Sequence, residues 1–120
     1  MSKDLQDTER QIMDINSEMA DAVTTLSELM VDLTVKTGAY KVAYARAYRA
    51  TAGEKMLVDD RKAEALIATF ELEQDAEMAE TLVRVHKAFM RSLEQQLDGL
   101  RSKGANQRAQ WSSEAAGQWT

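Results

Sequence analysis

Residues 4–50 read DLQDTERQIMDINSEMADAVTTLSELMVDLTVKTGAYKVAYARAYRA. Leu5, Ile12, Met19, Leu26, Leu33, Tyr40 and Ala47 recur every seventh residue, and Ile15, Ala22, Leu29 and Ala43 follow four of them by three. Two apolar residues per heptad bring one stripe round a helix every two turns, the pattern of a helix lying along a partner. The stretch predicts a single helix over about 4–51, roughly 70 Å long at ~1.5 Å per residue. A helix of that length cannot bury its stripe alone, so the rest of the chain must supply a surface for it.

The composition agrees. Among 120 residues there are no prolines and five glycines, so little interrupts a backbone ladder. Aromatics make up 6% against 44% hydrophobic residues, which points to aliphatic seams rather than a globular nucleus. Thr51-Ala52-Gly53 offers a helix stop, because glycine adopts the left-handed conformation that closes a helix. Glu54 to Val58 reads as a connector, and Asp59 or Asp60 as an N-cap. A second helix is expected over about 60–103, stopping at Gly104. Residues 105–120 form a short C-terminal helical tail that holds Trp111 and Trp119. Two long helices joined by a short connector fold back as an antiparallel, coiled-coil-like hairpin. The expected fold class is therefore all-α, with a hairpin domain over 1–104 and a tail over 105–120.

Charge is laid out in blocks beneath a net −5. Residues 1–35 carry net −6, 36–62 net +4, 63–83 net −6 and 84–108 net +4. With a turn near residue 56, residue i faces about residue 112 − i, and each basic block then lies beside an acidic one. From Leu72 onward the apolar residues of the second helix cover about half its circumference, wider than the ~100° stripe of a surface helix. An arc that wide suits two neighbours. Leu82, Val85, Phe89, Leu93, Leu97 and Leu100 are accordingly expected at an interface between copies.

Several chemistries are excluded. The chain has no cysteine, hence no disulfide and no thiolate site, and its one histidine, His86, cannot build a bundle-type metal centre of paired Glu-x-x-His motifs. There is no phosphate-cradling glycine loop and no nucleophile–base set. No enzyme, cofactor or metal is expected. The polar, acidic Met1-Ser2-Lys3-Asp4 is unlike a secretory signal and no apolar run approaches ~18 residues, which excludes a membrane partner and places the chain in the cytoplasm.

Tyr40, Tyr44 and Tyr48 recur every fourth residue among Lys36, Lys41, Arg46 and Arg49, with Lys55, Arg61 and Lys62 around the turn. Flat rings beside cations suit single-stranded nucleic acid, because rings stack on any base and cations hold phosphates. The same tyrosines lie on the seam side of the helix and serve equally as packing residues. Arg46 and Arg49 point away from the apolar stripe. The candidate nucleic-acid-binding set is Lys41, Arg46, Tyr48, Arg49, Lys55, Arg61 and Lys62.

Two stretches resemble phage recombination mediators of the UvsY type, small helical oligomers that load a recombinase onto single-stranded DNA. Tyr44-Ala45-Arg46-Ala47-Tyr48-Arg49-Ala50-Thr51-Ala52-Gly53 is similar to that family's basic, tyrosine-containing motif ending in a glycine turn, although Tyr44 stands where the motif favours lysine. Leu97-Asp98-Gly99-Leu100-Arg101-Ser102-Lys103-Gly104 is similar to its Leu-Asp helix end with a basic-Ser-basic-Gly turn. Together they cover about 18 of 120 residues. The resemblance implies a homo-oligomer acting on single-stranded DNA beside a recombinase in the cytoplasm of a bacterial host, and carries DNA binding to Arg46, Tyr48 and Arg49. Two other readings fit the acidic blocks and the heptads: a protein-binding adaptor or inhibitor of anti-defence type, and a coiled-coil element of a virion.

Overall fold

The structure, a computed structural model, describes residues 2–117. The chain is a helical hairpin. Helix α1 runs over Lys3–Ala50, and α2 (Val58–Ala68) and α3 (Phe70–Gly117) return. Contacts divide it into two compact units, Met1–Thr25 with His86–Thr120, and Leu26–Val85.

In the first unit the heptad stripe of α1 meets α3. Ile15 and Ala22 are buried with Leu93 and Leu97, and Ile12, Met19, Met90 and Leu100 pack against them. The pairing is antiparallel: a Cβ on Gly104 would come within 3.6 Å of Thr8 Cγ2, Arg108 Nη2 lies 3.9 Å from Glu9 Oε1, and His86 Nε2 donates to the Ala22 carbonyl at 2.7 Å. Each pair falls within about a turn of the expected register. In the second unit Ala65, Thr69, Ala79 and Val83 are buried on α2 and α3, while Tyr40, Tyr44 and Tyr48 are half-buried on α1. Small buried residues on one helix leave room for large rings on the other.

Four expectations are corrected. The returning strand of the hairpin is not one helix, because Thr69 leaves helical dihedrals (φ −115°, ψ 14°). Its buried hydroxyl and its amide both donate to the Ala65 carbonyl, at 2.7 and 3.1 Å, and close α2 there. Gly104 does not stop α3, which continues to Gly117, so residues 105–117 belong to the helix rather than to a separate tail. Among described residues only Gly53 has a positive glycine φ, 89°; Gly104 is helical and lies opposite Thr8, where a Cβ would make only ordinary contact. Trp119 lies outside the described residues. Asp59 and Asp60 do not cap α2. The N-cap is Leu57 without a side-chain bond, and the two carboxylates stand in the first turn, where they suit the helix dipole. Finally, Leu93 and Leu97, expected between copies, are buried inside the chain's own seam at 2% and 8% exposure.

Stability should follow this map. Leu93→Ala is expected to cost about 2–5 kcal/mol by opening a cavity in the seam, and Met13→Ala, at an exposed position, less than about 1 kcal/mol. Urea denaturation of the two variants decides; similar losses would contradict the assignment of the seam. Gly38→Ala and Gly104→Ala should each stabilise by about 0.5–1 kcal/mol, because both are helical and a Cβ meets nothing closer than ordinary contact. Gly53→Ala should destabilise by about 1–2 kcal/mol through its left-handed φ. Melting temperatures that move the other way would refute the backbone argument.

Candidate nucleic-acid interface

The candidate cations gather where α1 ends. Thr51 closes the helix: its amide and its hydroxyl both donate to the Tyr48 carbonyl, at 3.2 and 2.7 Å. Arg61, reaching over from α2, donates from Nε to Thr51 Oγ1 at 2.8 Å and from Nη2 to the same Tyr48 carbonyl at 3.3 Å. Its guanidinium also stands 4.2 Å from the centre of the Tyr48 ring. A cation on the last carbonyls of a helix complements the negative end of its dipole. Arg61 is thus a fastener of the turn rather than a free cation, a correction to its place in the candidate set.

Tyr48 changes role for the same reason. Its ring is stacked on Tyr44 (centroids 6.5 Å, interplanar 14°), and Tyr44 is tilted against Tyr40 at 6.3 Å. With Arg61 on it as well, the ring is engaged inside the chain. Burial raises the Tyr40 hydroxyl above its ordinary pKa, and the charges of Glu73, Tyr44 and Glu77 add to the effect. The tyrosine ladder is therefore a packing element of the seam, flanked by the acidic block opposite.

The other five candidates differ. Lys41, Arg46 and Arg49 on α1, Lys55 in the turn and Lys62 on α2 are all exposed. Among described residues none of these five side chains has an ion-pair or hydrogen-bond partner, since the salt bridges are Arg10–Asp7, Lys36–Asp32 and Arg108–Glu9. Only the last joins two helices, so the facing blocks interact through their fields and not through a ladder of close pairs. Exposed pairs contribute tenths of a kcal/mol and do not repay the entropy of fixing two long side chains.

Of the expected interface residues, Leu82, Val85 and Phe89 are exposed and Leu100 is partly buried against the seam. Sequence reasoning missed a second apolar stripe on α1. Val31, Val35 and Val42 are exposed. Their spacing of four and seven was the available signal, overshadowed by the stronger heptads. Among described residues no three His, Asp or Glu side chains converge as metal ligands, and no helix is long and apolar enough to cross a membrane. Comparison of the chain with protein-family models, with curated proteins and with solved structures finds no match.

Removing Arg61 tests its fastening role. Arg61→Ala should cost about 1–2 kcal/mol, from hydrogen bonds to a charged donor and a cation–π contact at a partly exposed site. Lys62→Ala, one residue on, should be near neutral. Equal effects in thermal denaturation would show that the Arg61 contacts carry no stability.

Proposed function

We propose that the chain is a non-enzymatic homo-oligomer that binds single-stranded DNA and assists recombination, the role that the resemblance to UvsY-type mediators implies. The supporting observation is the group of five exposed, unpaired cations, Lys41, Arg46, Arg49, Lys55 and Lys62, around the end of α1 and the turn. Arginines and lysines left without carboxylate partners are available to phosphates, whose neutralisation releases counterions and drives binding. The contribution of rings is smaller than the tyrosine spacing suggested, because the Tyr48 ring is already engaged by Tyr44 and by Arg61. A base stacks on Tyr48 only by displacing the guanidinium, which would then be free for a phosphate. A few contacts per subunit in a chain of net charge −5 give weak binding, so useful affinity needs several subunits on one strand.

A protein-binding adaptor is the competing reading. It draws on residues 63–83, six acidic and no basic groups, with Ile67 and Phe70 exposed among them. A recombinase is one partner such a surface fits.

Fluorescence anisotropy with labelled single- and double-stranded oligonucleotides at several salt concentrations separates the two. Binding that prefers single strands, weakens steeply with salt and ignores sequence is the expected result. Lys55→Glu with Lys62→Glu should flatten the salt dependence by about two phosphate contacts per subunit and leave helicity unchanged. No binding at about 50 mM salt by the folded protein, where phosphate contacts are strong, would reject the DNA reading and favour the adaptor.

A further inference from the structure

Residues 26–85 expose two apolar stripes, one on each helix. On α1, Val35 and Val42 each stand two residues past a seam position, Leu33 and Tyr40, which is about 200° round the helix. Val31 continues their line, and Val35 is 63% exposed. On α2 and α3, Ile67 and Val85 likewise stand two residues past the buried Ala65 and Val83. Phe70, Met78 and Leu82 lie between them on the same side, with Ile67 at 72% and Met78 at 61% exposure. Leu66, Ile67, Phe70 and Glu73 line an open groove of about 470 Å³ beside the break at Thr69.

The charges at the ends of the two stripes are complementary. The α1 stripe begins beside Glu28 and ends at Arg46. The other begins beside Glu64 and ends at Val85, with Arg84 on its flank, about 100° round the helix. From Glu28 to Arg46 is roughly 27 Å and from Glu64 to Arg84 roughly 30 Å at ~1.5 Å per residue. Laid antiparallel, the stripes set Glu28 against Arg84 and Arg46 against Glu64, and bring Val31 level with Leu82, Val35 with Met78 and Val42 with Phe70 at the groove. Laid parallel, like charges meet at both ends. Pairing two α2–α3 stripes antiparallel sets Glu71 level with Glu77 and Asp75 level with Glu73 of the other copy, inside a block of net −6, and leaves the α1 stripe bare. All four end charges are exposed, and none has an ion-pair partner among described residues.

We propose that these stripes are the two halves of one head-to-tail contact: the outer face of α1 in one copy packs antiparallel on the outer face of α2–α3 in the next. The inference rests on the oligomeric part of the function proposed above and specifies its interface. Each copy gives one face and receives through the other, so the contact is heterologous and builds a ring or an open row. Lys55 and Lys62 stand outside it, whereas Arg46 enters it and is withdrawn from the cations open to phosphates.

Complementation by mixing tests this in the absence of DNA. Two variants are compared with the unaltered protein, Val35→Asp with Val42→Asp on the giving face and Met78→Asp with Leu82→Asp on the receiving face. Sedimentation at tens of micromolar should show an assembly for the unaltered protein, a monomer for each variant, and a dimer with nothing larger for their equimolar mixture. A monomeric unaltered protein, a variant that still assembles alone, or two folded variants that do not combine would overturn the proposal. Should either variant fail to fold, cysteine pairing replaces it, since the chain has no native cysteine. Mixed Val35→Cys and Met78→Cys proteins should form the 35–78 disulfide; only 35–35 or 78–78 links, or none, would refute the contact. Assembly without DNA binding rejects the DNA reading alone, and DNA binding by a monomer rejects the interface alone.

Discussion

Two helices laid side by side can bury only the stripe along which they touch, and this chain has no third layer to cover the rest. Its buried hydrophobic residues are correspondingly few and aliphatic: among described residues, Leu5, Ile15, Ala22, Leu93 and Leu97 in one unit, Ala65, Ala79 and Val83 in the other. Beside that line Ile12, Met19, Met90, Leu100 and the three tyrosines are only partly covered, and many apolar side chains farther round the helices are exposed. Cohesion then depends on features a globular protein can neglect. One is the continuity of the helices themselves, without proline and with a single left-handed glycine at the turn. Another is the fastening of that turn, where one carbonyl, that of Tyr48, accepts from the Thr51 amide, the Thr51 hydroxyl and Arg61.

The same constraint explains which parts of the structure could be read from the sequence. The seven-residue spacing of α1 and the glycine at 53 are local signals with one physical meaning each, and helix α1 and its closure follow from them. Gly104 carries no such fixed meaning. A glycine ends a helix when the chain leaves it and is merely tolerated within one when the chain continues, as at Gly104, which has room for a Cβ opposite Thr8. Thr69 is equally silent in sequence: Thr8, Thr24 and Thr34 make the same bond to the carbonyl four residues back within unbroken α1, so a threonine hydroxyl does not by itself mark a break. Leu93 and Leu97 illustrate a third limit. The apolar arc of the second helix was wide enough for two neighbours, but which residues serve the seam depends on the angular drift of the stripe along it, and those two fall on the inner side. The candidate site fared similarly: the exposure of its lysines and of Arg46 and Arg49 was legible, whereas the diversion of Arg61 and Tyr48 into the turn was not, since it depends on ten- and thirteen-residue separations closed by folding.

Charge acts here at two ranges. At short range it does little, since only Arg108–Glu9 pairs across helices among described residues, at 3.9 Å and half exposed. At longer range the blocks alternate so that the hairpin sets opposite fields side by side, and the raised pKa of Tyr40, after burial, registers the carboxylates of Glu73 and Glu77. A field selects orientation without consuming individual side chains. That is why the basic residues near the turn can favour the fold and still remain unpaired.

Assembly and DNA binding make compatible demands on such a chain. In the head-to-tail contact proposed here the giving α1 is antiparallel to the receiving α2–α3, which is itself antiparallel to its own α1. All α1 helices of a row therefore run the same way, and every turn emerges on the same edge. Lys55 and Lys62, which stand outside the contact, would then recur once per copy along that edge. Two lysines are a weak phosphate site, but the second and later copies bind a strand already held nearby, at an effective concentration far above that of free DNA. A hairpin too thin to enclose a core, and too acidic overall to hold DNA alone, could in this way form a basic edge by repetition.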